Sequence, residues 1–330
     1  MLMAQFRKLF AEKEQRQGFQ WKLLLRTALT LIFLFVLWRI LRREDQNLAD
    51  VRSAVLHHLR EGEGIWLFLL LILVPVNWAL EALKWQLLVA KVQAISFSEA
   101  VGSTLAGLLS GLALPAQVGD VVGRIAALRV TERTKTVGAA LVSGGIQFYA
   151  AIFAGIWGIC RLGEKLKVTG FSEGIFKAGL WLLVLAGLLA FVFRTSLVSK
   201  IPPRGLWKRI RSMLEVISRY GNKELLTAFG IGFFRYLTYM AQFVAGLLLF
   251  DFPMGIYDMV ACVSVVLLVK TVMPAFNLLG DLGLRGISAV FVFGWFGIPP
   301  DQVLAVTLLI WFTNILLPAL TGLVWIWKRI

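Results

Sequence analysis

Histidine and cysteine are nearly missing from this chain, with two of each in 330 residues. His57 and His58 adjoin each other in a polar segment, and Cys160 and Cys262 lie far apart, so neither a metal-ligand spacing nor a disulfide framework can be drawn. No Ser-His-Asp or Cys-His pairing can be assembled in the apolar segments, and no Walker sequence is present. These absences argue against an enzyme, an ATP-driven pump and a resident cofactor or metal. Acidic residues are also scarce, 19 against 34 Lys and Arg, for a formal net charge of +15. Long polar stretches are lacking too. The longest, 194–224, is about 30 residues, below the roughly 50 that a separate domain needs. A single domain over 1–330 is expected.

What is abundant is apolar sequence: 58% hydrophobic residues, 16% charged, and a mean hydropathy of +0.78. A helix that crosses a bilayer needs roughly 20 mainly apolar residues. Segments 21–41, 65–83, 136–160 and 303–327 meet that requirement, and 175–193 and 225–250 are acceptable, the last carrying Arg235. Two further apolar stretches, 103–114 and 259–273, are too short to cross. Each reads as the descending limb of a re-entrant hairpin, the second returning through 286–297. Irregular backbone at that depth needs cover from protein or a water-filled cavity. The predicted fold is an all-α polytopic membrane protein with six transmembrane helices and two re-entrant hairpins.

Cytoplasmic loops carry the excess of Lys and Arg. Segments 1–22, 84–100, 120–135, 194–224 and the C-terminus hold 21 of them, and the intervening loops hold 9, so both termini are expected in the cytoplasm. On this layout the two hairpins enter from opposite faces. A first repeat at 65–160 and an inverted second repeat at 225–327 follow, an arrangement common in secondary transporters. Segments 1–21 and 204–220 are basic and amphipathic, the latter with Trp207, Ile210, Leu214 and Ile217 at helical spacing, as in helices that lie on anionic lipid. The net charge is thereby accounted for by membrane contact, without nucleic acid. Trp66, Trp181 and Trp327 sit near span ends, where interfacial belts form.

One sequence feature occurs twice. Gly119, Asp120 and Arg124 in GDVVGR recur at the same spacing as Gly280, Asp281 and Arg285 in GDLGLR, each after a proline, Pro115 or Pro274. Ionisable residues at depth survive when they are paired or face a polar cavity, which makes them site candidates. Each aspartate is placed to cap a helix after the break and to pair with the arginine four residues on. The arginines suit bidentate recognition of phosphate. Gly283 lies within the second motif. Lys270 could neutralise a phosphate or pair with Asp281, Glu81 and Lys84 read as an interfacial ion pair, and Arg235 with Tyr236 could line a cavity or snorkel to the surface.

These motifs resemble those of the flippase-like transmembrane region of lysylphosphatidylglycerol synthase, also found as stand-alone membrane proteins. Pro115, Ala116, Gly119, Asp120 and Arg124 are similar to its first motif, with Ala for Gly at the second position and the arginine one residue late. GDLGLRG at 280–286 resembles its Gly-Gly-Leu-Gly-Val-Arg-Glu, with Asp281 for a glycine and Gly286 where the acid is expected. The resemblance is to the membrane region, without the aminoacyl-transferring domain. It implies movement of a polar or phosphate-bearing lipid, such as an anionic phospholipid or a prenyl-phosphate-linked lipid, between the leaflets of a bacterial or archaeal plasma membrane. The alternatives are an ion-coupled transporter of a small soluble anion and an integral-membrane enzyme that modifies a lipid.

Overall fold

The computed structural model describes residues 49, 51–53, 55–57, 64–113, 116–128, 130–167, 173–273 and 278–329. The expected span at 21–41, the basic arm at 1–21, Pro115 and Pro274 lie outside these residues. The regular structure among the described residues is all helical, with no strand.

Five helices are long and apolar enough to cross a membrane. They are α1 (Ile65–Val89), α4 (Arg133–Arg161), α6 (Glu173–Val192), α9 (Asn222–Leu249) and a composite of α12 (Pro300–Trp311), a π-turn (Phe312–Leu316) and α13 (Leu317–Arg329). Between them lie two helical hairpins, α2 (Phe97–Ala113) with α3 (Ala116–Ala127), and α10 (Ile256–Val272) with α11 (Leu278–Gly294). Short α5 (Gly163–Lys167) and α7 (Arg194–Ser199) turn corners, and α8 (Gly205–Arg219) carries the amphipathic basic segment.

The hairpin limbs are longer than their apolar runs suggest. Both α2 and α10 have 17 residues, about 25 Å at 1.5 Å per residue, still short of roughly 30 Å of hydrocarbon. Polar residues extend them. Ser96 and Glu99 form a capping box ahead of α2, with Ser96 N–H donating to Glu99 Oε2 at 2.9 Å and Glu99 N–H to Ser96 Oγ at 3.2 Å. The returning limb of the second hairpin starts at Leu278, well before 286, so GDLGLR is helical. The aspartates are not helix caps: Asp120 lies inside α3 and Asp281 inside α11.

Glycines set the closest contacts. A Cβ on Gly119 would stand 2.6 Å from Gly111 Cα, and one on Gly123 would stand 2.6 Å from Ser110 Oγ, so α2 and α3 pack backbone to backbone. Elsewhere the crossings are reciprocal. Gly155 and Gly158 of α4 receive Leu268 and Ala261 of α10, while Gly102 of α2 and Gly322 of α13 receive Trp325 and Leu105. In each pair the residue order shows antiparallel helices. Helices α1 and α9 are antiparallel as well, since Leu70 O accepts from Gln242 Nε2 at 3.2 Å while Glu81 meets Arg235 at 3.1 Å.

These contacts sort the helix ends onto two faces. On one, Lys91 pairs with Glu224 at 2.7 Å and Tyr220 OH donates to Leu88 O at 2.7 Å. Burial pushes the Tyr220 phenol above its usual range, so it remains a donor. Helix α8 lies on this face, with Val216 buried against Gly138 of α4 and with Leu206 and Trp207 exposed. On the other face, Arg161 pairs with Asp258 at 3.0 Å and Lys165 Nζ donates to Trp295 O at 3.1 Å. The α2–α3 hairpin begins and ends on the first face, and α10–α11 on the second. Leu282 of α11 packs with the cluster of Ala106, Leu109 and Leu112 of α2.

Candidate anion site between the hairpins

Glu81, midway along the buried face of α1, is the hub of a charge network. Its Oε2 pairs with Lys84 Nζ at 2.8 Å and with Arg235 Nε at 3.1 Å, and its Oε1 accepts from Arg124 Nη2 at 2.9 Å. Arg124 Nε donates to both oxygens of Asp120, at 3.0 and 2.9 Å, in the predicted pairing four residues apart. Lys84 Nζ also donates to Ser143 O at 3.2 Å, and Arg235 Nη1 to Gln147 Oε1 at 2.8 Å. Glu81, Lys84 and Arg124 are 4%, 1% and 5% exposed. The Glu81–Lys84 pair is therefore buried inside the protein, and Arg235 turns to it: α9 lies against α1, and the Glu81 carboxylate holds both cations inward. Lys84 and Arg124 do not belong to loops, but removing them leaves the excess of Lys and Arg in the segments expected to be cytoplasmic intact.

Beside this network is a cavity of about 170 Å³. Arg235 from α9, Lys270 from α10 and Arg285 from α11 all line it, and the described lining residues include no carboxylate. Arg285 is fully buried; it donates to Tyr239 OH, and its guanidinium lies 5.7 Å from the Tyr239 ring centroid. Arg235 lies likewise 5.6 Å from the Trp78 ring, and Arg124 5.2 Å from the Trp85 ring. Each guanidinium is thus positioned by an aromatic face as well as by its hydrogen bonds.

Arg124 and Arg285 do not share the cavity wall. Arg285 is on it, whereas Arg124 stands behind, linked to it through Glu81 and Arg235. Two of the motif glycines differ in their surroundings. Gly119 is pressed against α2, while a Cβ on Gly283 would meet nothing within 4 Å among the described residues. The surroundings of Gly280 and the Asp281 side chain lie outside what the structure describes.

Asn77, Gln147, Asn314 and, behind the wall, Gln242 complete the site. Reading for charge alone passes over them, although an amide in the middle of an apolar span is itself a signal. Asn77, Gln147, Arg235 and Asn314 all fall within about two residues of the middle of their spans. Asn314 lies in the π-turn, a feature frequent at functional sites. Its carbonyl has lost its helical partner because Pro318, four residues on, has no N–H. Trp78 Nε1 donates to that carbonyl instead, at 3.0 Å.

Residues 20–322 match the family described as lysylphosphatidylglycerol synthase TM region, and the chain belongs to that family. No curated protein has a matching sequence.

Proposed function

We propose, with that family membership as premise, that the protein moves a phosphate-bearing lipid headgroup between leaflets. The observation that carries this reading is the convergence of Arg235, Lys270 and Arg285 on one mid-span cavity. Ionisable side chains that line a cavity at such depth mark a functional site by default. A phosphate would bridge the two guanidiniums and the ammonium while the lipid tails stay in the hydrocarbon. Glu81 would then release Arg235 to the phosphate and keep Lys84 and Arg124, so that the network stays neutralised as the site loads.

The two hairpins act as re-entrant elements that enter from opposite faces, and 65–160 with 225–327 form the inverted repeat. The antiparallel run of α1 and α9 and the reciprocal crossings of α4 with α10 and α2 with α13 support this reading. So do the exposed apolar side chains of α6, such as Leu182 and Leu188, which suit lipid. The excess of Lys and Arg supports a cytoplasmic α8 face, and the family membership supports a bacterial or archaeal plasma membrane.

The test is leaflet exchange of labelled anionic phospholipid and labelled prenyl phosphate in proteoliposomes. Wild type should exchange at least one of them. Arg235→Gln and Arg285→Gln should each slow it by about tenfold or more, the scale of losing a charge-assisted contact. No exchange of either lipid by folded, inserted protein would overturn the proposal. Uptake of inorganic phosphate by the same vesicles, without lipid exchange, would indicate a transporter of soluble anions.

A further inference from the structure

The structure divides the amphipathic helix α8 into a part used inside the protein and a part left outside it. Val216 is fully buried against Gly138 of α4, Ile217 packs on the cluster that holds Leu88 and Ile146, and Tyr220, just past the helix, donates to Leu88 O. Two of the segment's basic residues are engaged as well, Arg219 with Glu215 at 2.9 Å and Arg211 with Ile201 O at 3.2 Å.

The first turns of α8 are different. Leu206 and Trp207 are 71% and 56% exposed. Lys208 and Arg209 are exposed too, and neither makes an ion pair among the described residues; the neighbouring acids are taken, Glu215 by Arg219 and Glu132 by Lys135 at 2.9 Å. Ser212 follows Lys208 by four residues and Arg209 by three, so the three share a face of the helix. With Leu206 and with Thr134, at the start of α4, they line an open groove of about 620 Å³, the size of a site for a small ligand. Two cations and two hydroxyls there can all donate to an oxyanion. The exposed Leu206 and Trp207 beside them settle which anion. A soluble one would leave both in water, whereas a lipid headgroup brings apolar carbons to the same turn of helix.

We infer that the groove between α8 and the start of α4 is a second lipid site, which holds an anionic phospholipid by its phosphate through Lys208 and Arg209, with Leu206 and Trp207 against the glycerol and upper acyl carbons. No described residue lines both this groove and the mid-span cavity, so the two sites are separate. The structure thereby narrows the membrane contact expected along all of 204–220 to the first turns of α8.

The test reads the groove locally. In the full chain with Cys160 and Cys262 replaced by alanine, Leu206→Cys is labelled with nitrobenzoxadiazole and the protein is placed in phosphatidylcholine nanodiscs. Quenching is compared between phosphatidylglycerol and phosphatidylcholine spin-labelled on the same upper acyl carbon. Phosphatidylglycerol should associate about tenfold more strongly, in keeping with two basic residues at an anionic headgroup. Lys208→Gln with Arg209→Gln should bring the ratio close to one, and Lys208→Arg should keep it. High salt should lower the preference, because the site is exposed. Equal quenching by the two lipids would overturn the site. A preference that survives the double substitution would overturn the assignment to Lys208 and Arg209. Loss of the preference on adding inorganic phosphate at constant ionic strength would overturn the lipid in favour of a soluble anion. The comparison of lipids and of salt in the labelled chain decides the matter even if the double variant does not fold.

Discussion

At the residue scale, charge count decides which substitutions the buried network tolerates. Lys84, Arg124 and Arg235 face Glu81 and Asp120, three cations to two carboxylates. Removing Lys84 would balance the network, and removing Glu81 would leave three cations with one acid. Breaking a buried pair by deleting the partner that neutralises it costs about 3–5 kcal/mol. Glu81→Gln should therefore lower thermal stability in detergent far more than Lys84→Gln; equal losses would show that the hub role is wrong. Arg285→Lys isolates geometry from charge. A lysine cannot make the planar fork that reaches Tyr239 and a phosphate together, so leaflet exchange should fall by about tenfold while the fold is retained.

At the element scale, the two motifs use glycine differently. Gly119 allows α3 to lie on α2, and the atoms its Cβ would strike include backbone, Gly111 Cα and Gly111 N, which cannot rotate away. Gly119→Ala should destabilise the hairpin by about 1–3 kcal/mol, the usual cost of overpacking. A Cβ on Gly283 would meet nothing within 4 Å among the described residues, so Gly283→Ala should be neutral or slightly stabilising, because alanine favours the helix. Fluorescence-detected melting of both variants checks this. The reverse order would mean that the second hairpin, not the first, depends on close backbone approach.

At the scale of the whole molecule, the α4 axis separates two sets of loops. Glu132 stands before its first residue, and Asp301 opens α12 at the end where Arg161 meets Asp258. In a chain whose Cys160 and Cys262 are replaced by alanine, Glu132→Cys and Asp301→Cys should react with a membrane-impermeant maleimide from opposite sides. The Glu132 position should react only after the cytoplasmic face is opened. Labelling of both from one side would overturn the inverted arrangement of the hairpins.

The sequence by itself determined the solvent and most of the elements. Runs of apolar residues near 20 long can satisfy their backbone in lipid only as helices, and five of the six expected spans are among the described helices, the sixth lying outside them. It also determined the Asp120–Arg124 pair, because a four-residue spacing brings side chains together on any helix. Only the tertiary structure decided which charges meet. Glu81 and Arg235 are more than 150 positions apart and meet because α1 and α9 run antiparallel in contact, a fact that no local pattern carries. The same holds for the amide chain from Leu70 through Gln242 and Asn314 to Asn77. A buried polar group is defined by what surrounds it, and in a bundle the surroundings come from distant sequence.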